Sequence, residues 1–174
     1  EPSQASAFSS GMEAIVEAAL SDISSYTMLN FVEVADSASV LGDLRFGYTL
    51  NSSAGFGNDV LGWGTFPVSQ NEIYYTASDA GDTWFSDALI SNYENAVAGD
   101  LYYNTVYHEI GHSLGLSHPH NTGTGGTGIT FGTGNGTVGV GEHDGNPYTL
   151  MSYTTYVGGS TSSPDQTHAD GFMM

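Results

Sequence analysis

Two stretches of the chain carry apolar residues at the period of a helix. In the first, Ile15, Val16, Ala19, Leu20 and Ile23 fall on one face, and Ser10 with Glu13 has capping-box spacing, which predicts a helix over 10–23. In the second, over about 100–116, Asp100 is placed to cap the first turn and Gly115 to end the last one. Elsewhere the pattern is that of strands. Residues 28–34 are rich in branched and aromatic side chains, and Leu44, Phe46, Tyr48 and Leu50 alternate along a second candidate. Short strands are predicted at 60–66, 73–76 and 83–85. Strands, then a central helix, then a loop-rich tail imply an α+β fold of two unequal halves.

The tail begins after His118. Residues 121–141 are mostly Gly and Thr, but Ile129, Phe131, Val138 and Val140 predict a loop that packs back on the domain. The Asp that calcium-binding nonapeptide repeats place after their glycines is missing there. No internal repeat or boundary is visible, so one domain is expected over 1–174, with an upper half of about 1–118 and a lower half of about 119–174.

Composition narrows the chemistry. Nineteen acidic residues stand against one basic residue, Arg45, for a formal net charge of -18. Such a surface repels nucleic acid and anionic membranes, so neither is an expected partner. Cysteine is absent, which removes disulfides and thiolate zinc sites and leaves His and carboxylates as the available metal ligands. No apolar run is long enough to span a bilayer, and no basic stretch leads into an apolar one at the start. A mature, secreted and extracellular product is the expectation, and nothing in the sequence calls for more than a monomer. Acidic loops are plentiful but none has calcium-ligand spacing. Asp165, Gln166 and Asp170 read as solvated surface ahead of calcium ligands, His120 and His143 as solvated loop residues or supports beside the motif ahead of metal ligands, and His168 as an exposed tail residue.

The chemistry concentrates in 108–118. His108 and His112 are four apart on a predicted helix, so both imidazoles project from one face, a spacing that suits two ligands of tetrahedral zinc. Gly115 can take positive φ and turn the chain back to deliver His118 as third ligand. Three protein ligands leave a fourth position for water, as in catalytic rather than structural sites. Glu109, beside the first ligand, is placed to act as general base without binding the metal. Two histidines at helical spacing do arise by chance. Here five identities are fixed, and three of them are among only six histidines in the chain. This extended pattern followed by a Met-turn is the metzincin signature.

Met151 lies 33 residues beyond His118, a workable return for that turn. At this point the chain resembles the serralysin family of metzincin proteases. Leu114, Gly115, Leu116, Ser117, His118 and Pro119 have that family's form, as do Asp144, Tyr148, Met151, Ser152 and Tyr153, and more weakly Gly81 to Phe85. The resemblance implies a zincin-like catalytic domain in which a twisted, mostly parallel sheet packs on the active-site helix. It implies that Met151 forms an apolar floor under the zinc. It makes Tyr153 a displaceable further zinc ligand that stabilises the tetrahedral intermediate. It also implies zinc-dependent endopeptidase activity on a protein or peptide bound as an extended strand beside a sheet edge. Two departures stand out: the chain given has no calcium-binding β-roll, and no strand is evident in residues 1–9. A matrixin-like metzincin shares the zinc motif, and Pro119 and Tyr153 argue against it. A non-catalytic zinc-binding module of a large extracellular protein is the remaining alternative, and it predicts loss of Glu109 or of a ligand.

Overall fold

The computed structural model describes residues 4–35, 37, 40–50, 60–67, 79–119 and 145–153. Helix α1 (Ser10–Tyr26) is capped by Ser9 rather than Ser10: the Ser9 hydroxyl accepts the Met12 N–H at 3.4 Å and its carbonyl the Glu13 N–H at 2.9 Å. The box spacing pointed to Ser10 because Glu13 lies three residues on; with Ser9 as the cap, Met12 takes that place instead. The helix also runs one turn beyond Ile23. Thr27 ends it, donating its hydroxyl to the Ile23 carbonyl at 2.8 Å and accepting the Leu29 N–H at 3.2 Å. Met12, Val16, Ala19 and Ile23 are buried at three- and four-residue intervals, the expected face.

Four strands form one sheet in the order β1-β2-β4-β3: β1 (Ala5–Ser6), β2 (Arg45–Thr49), β3 (Gly62–Gly64) and β4 (Asp82–Ser86). β2 and β4 run parallel, whereas β1 on β2 and β3 on β4 are antiparallel. The α+β class holds, and among the described residues the sheet is mixed rather than mostly parallel, because both outer strands run against their neighbours. β1 supplies the strand that residues 1–9 did not reveal. Two residues carry no period of their own; Ala5 and Ser6 are strand only through their pairing with Thr49 and Tyr48.

β4 is buried along its whole length, and Arg45 and Asp82 sit side by side at its start in the parallel register. Arg45 donates Nε to Oδ1 of Asp82 at 2.9 Å and an Nη to Oδ2 at 2.6 Å, a bidentate pair with Asp82 1% exposed. After β4 come a 3-10 turn (Asp87–Leu89) and helix α2 (Ile90–Glu94), both too short for a period to announce. Helix α3 (Leu101–Ser113) is capped as expected, with the Asp100 carboxylate accepting the Tyr103 N–H at 2.8 Å.

The core joins α1 to β2, β4, α2 and α3 through Met12, Val16, Tyr48, Phe85, Tyr93 and Ile110, among others. The strand expected at 28–34 does not form. That segment pairs with no strand among the described residues, and Met28, Leu29, Val32 and Val34 are exposed. Strand propensity is mostly a fit to neighbouring strands, so branched residues without a partner do not make one. The strand expected at 73–76 and the loop at 121–141 lie outside the described residues. Of the lower half, only 119 and 145–153 are within them.

Candidate metal centre

Helix α3 places His108, Glu109 and His112 in the interior, 7–8% exposed. Its stop fixes the third histidine. Gly115, at φ +98°, donates its N–H to the His112 carbonyl at 2.8 Å, and Leu116 donates to Gly111 at 2.8 Å. This pair of bonds is the Schellman arrangement, in which the positive-φ residue reverses the chain. Three residues later His118 meets the other two imidazoles. The Nε2 atoms form a near-equilateral triangle with edges of 3.1 Å (108–112), 3.0 Å (108–118) and 3.0 Å (112–118).

The tautomers decide what this triangle is. Nδ1 of His108 lies 2.7 Å from the Leu150 carbonyl, and Nδ1 of His112 lies 2.8 Å from the Leu116 carbonyl. A carbonyl only accepts, so in both rings Nδ1 carries the proton and a neutral imidazole then offers a bare lone pair at Nε2. Burial pushes the His112 pKa down, although the Leu116 carbonyl acts the other way, so the neutral form is favoured. Lone pairs converging at about 3 Å repel unless a cation sits among them. Three nitrogens about 2.05 Å from one tetrahedral zinc would lie about 3.3 Å apart, close to the spacing seen. The donor set therefore fits zinc, and among the described residues it is the one group of three or more His, Cys, Asp or Glu with that convergence.

The floor and walls come from three side chains, Met151, Tyr153 and Phe66. Met151 is buried, and its sulfur lies against Gly111 so closely that a Cβ there would come within 2.6 Å of it. The turn carrying Met151 is held by Thr149, whose hydroxyl accepts the Met151 N–H at 3.1 Å and whose carbonyl accepts the Ser152 N–H at 3.3 Å. It reaches the metal ligands through the Leu150 carbonyl, a contact no sequence pattern announces. Tyr153 packs against two of the three imidazoles, tilted on His118 with ring centroids 4.3 Å apart and stacked on His108 at 5.5 Å. Burial, and secondarily Glu109, push its hydroxyl up to about 12. Phe66 meets His112 edge-on at 5.5 Å.

Glu109 is aimed by β3. Leu61 and Thr65 bond to β4, accepting from Ser86 at 2.9 Å and donating to Asp82 at 2.8 Å respectively. Strand alternation then points the backbone of Gly62 and Gly64 to the opposite edge. There the Gly64 N–H donates to the Glu109 carboxylate, partly offsetting the burial that pushes this carboxyl up to about 8. A side chain at Gly64 would collide with the Glu109 carbonyl and come within 2.9 Å of the His112 Cβ, so this glycine lets the helix press against the strand. Two further anchors hold the assembly. Tyr93 of α2 donates to the Leu61 carbonyl at 3.0 Å, and the Thr83 and Ser113 hydroxyls share a bond of 2.6 Å between β4 and the end of α3.

Every site residue expected from the sequence is thus brought to one place: His108, His112 and His118 as the triad, with Glu109, Met151 and Tyr153 around it. Gly64, Tyr93 and the Leu150 carbonyl were not legible beforehand. A family model described as matrixin matches residues 2–124, which contain the whole histidine motif and stop short of the Met151 turn. No curated protein matches the chain. In the sequence, Pro119 and Tyr153 argued against a matrixin-like family; the match shows matrixin over a span that includes Pro119. Tyr153 lies beyond the matched span. A match over most of the chain, centred on a histidine triad built to hold zinc, means that the protein belongs to the matrixin family of zinc metallopeptidases.

Proposed function

We propose that the chain is a secreted endopeptidase of serralysin-like type, in which Glu109 is the general base and Tyr153 assists at the metal. The observation that carries this reading is the buried Glu109 carboxylate beside the triangle of three converging Nε2 atoms. His108, His112 and His118 would hold the ion through Nε2. Zinc bound there would supply Lewis acidity, lowering the pKa of a water to about 7 and polarising the scissile carbonyl. Glu109 takes the proton of that water as it attacks and then passes it to the leaving amine nitrogen. The Gly64 N–H keeps the carboxylate aimed while it does so. Tyr153 donates its hydroxyl to the oxygen that gains charge on the carbonyl, a role supported by its place against His118 and His108.

Substrate lies as an extended strand along the outer edge of β3, the end strand of the described sheet, where Gly62 and Gly64 turn their backbone outward beside Glu109. The serralysin-like assignment and the expectation of secretion rest on the stretch from Tyr148 to Tyr153 and on the form of 114–119. No helix among the described residues is long and apolar enough to cross a membrane. Intact Glu109 and an intact triad disfavour the non-catalytic zinc module.

Metal analysis with casein hydrolysis tests the reading. One zinc per chain is expected, with activity lost to a zinc-selective chelator and restored by added zinc. One zinc without hydrolysis of any protein substrate would instead favour the binding module. For Tyr153→Phe the expected result is a fall in kcat of about ten- to a hundredfold with KM little changed, as for a group acting only in the transition state. An unchanged kcat would reduce Tyr153 to a packing residue.

A further inference from the structure

The single basic side chain of this protein is not available to its surroundings. Arg45 is 13% exposed and bidentate to the buried Asp82 carboxylate, so the chain's one Lys or Arg charge is neutralised inside the sheet. What remains at the surface is anionic. Glu13, Glu17, Asp22, Glu33, Asp43 and Glu94 are all exposed, and no second Lys or Arg exists anywhere in the sequence to pair with them. Glu13 and Glu17 even sit one helical turn apart on α1, where like charges repel. A formal charge of -18 on 174 residues makes the net long-range field negative, and one divalent ion in the triad would offset little of it. Beside the triad, Tyr153 is 45% exposed and presents an aromatic ring, a surface that attracts cationic side chains.

We infer that this enzyme selects cationic polypeptides, taking Lys- and Arg-rich substrates ahead of acidic ones through its field rather than through a charged specificity pocket. The inference rests on the peptidase reading and names the substrate class for it. A long-range field raises encounter and local concentration of oppositely charged chains by about 10- to 1000-fold at low ionic strength, and salt removes the effect. A pocket contact would survive salt. The acidic surface then acts in catalysis, through kcat/KM, and not only in solubility.

The test uses two peptides that share one cleavable central segment found by casein digestion, one flanked by lysines and the other by glutamates. At about 20 mM NaCl the lysine-flanked peptide is expected to show a kcat/KM at least about tenfold higher, narrowing to within about twofold at about 500 mM. Reversing exposed charges on and just after α1, with Glu13→Lys, Glu17→Lys and Glu33→Lys combined, should shrink the low-salt ratio several-fold while leaving a neutral-flanked peptide unaffected. Equal rates at low salt, a preference that persists at high salt, or a ratio untouched by the charge reversals would each overturn the inference. Failure to cleave any of the peptides with zinc present would sink the peptidase reading itself and the inference with it.

Discussion

Glu109→Ala protein is expected to fold, bind one zinc and hydrolyse casein about 100- to 10,000-fold more slowly than the parent, the range that removal of a positioned general base produces. Zinc should stay because the three Nε2 donors are untouched, and two of them have their tautomers set by carbonyls on other segments, Leu150 and Leu116. Stability should not fall. The carboxylate is buried with the Gly64 N–H as its main compensation, so removing it relieves a desolvated acid even as it frees one donor. Zinc content, a melting curve and initial rates on one preparation separate the outcomes. Retained turnover would take Glu109 out of the reaction, and loss of zinc would show it to be needed for the metal rather than for proton transfer.

The second large effect is on stability. Asp82→Ala should cost about 3–5 kcal/mol, roughly a 10 °C fall in Tm, because it strands the Arg45 guanidinium at a 13%-exposed position without its bidentate partner. Asp82 also accepts through its carbonyl from Thr65 N–H at 2.8 Å and Ser113 Oγ at 3.3 Å, so its strand position ties β3 and the end of α3 together. The double variant Arg45→Met with Asp82→Leu should recover much of the loss, since matched apolar residues leave no buried charge behind. Thermal unfolding followed by circular dichroism measures both. A single variant that melts with the parent would mean the pair contributes nothing net.

How much of this was legible depended on whether the determinant was local. The Asp100 cap, the Gly115 stop and the histidine spacing are all set within one helix and its last turn, and each was found where the sequence placed it. The alternation of 44–50 located β2 for the same reason. What escaped depends on partners far along the chain. Ala5 and Ser6 are strand only because Tyr48 and Thr49 lie beside them, while 28–34 have a strand's composition and no partner among the described residues. The short α2 has too few turns for a period, yet its Tyr93 holds β3 by a bond to the Leu61 carbonyl. The Gly64 amide and Leu150 carbonyl belong to the backbone, so no residue type marks them.

The buried pairing of Arg45 carries one more consequence, for the survival of this protein among other proteases. Enzymes that cut after Lys or Arg find a single target bond in this sequence, and it lies at the start of β2, paired along β4. A protease needs that segment free and extended in its own cleft, which here requires β2 to leave the sheet. Trypsin-like digestion therefore reports on the opening of the central sheet itself, and the intact fold presents it with nothing to cut.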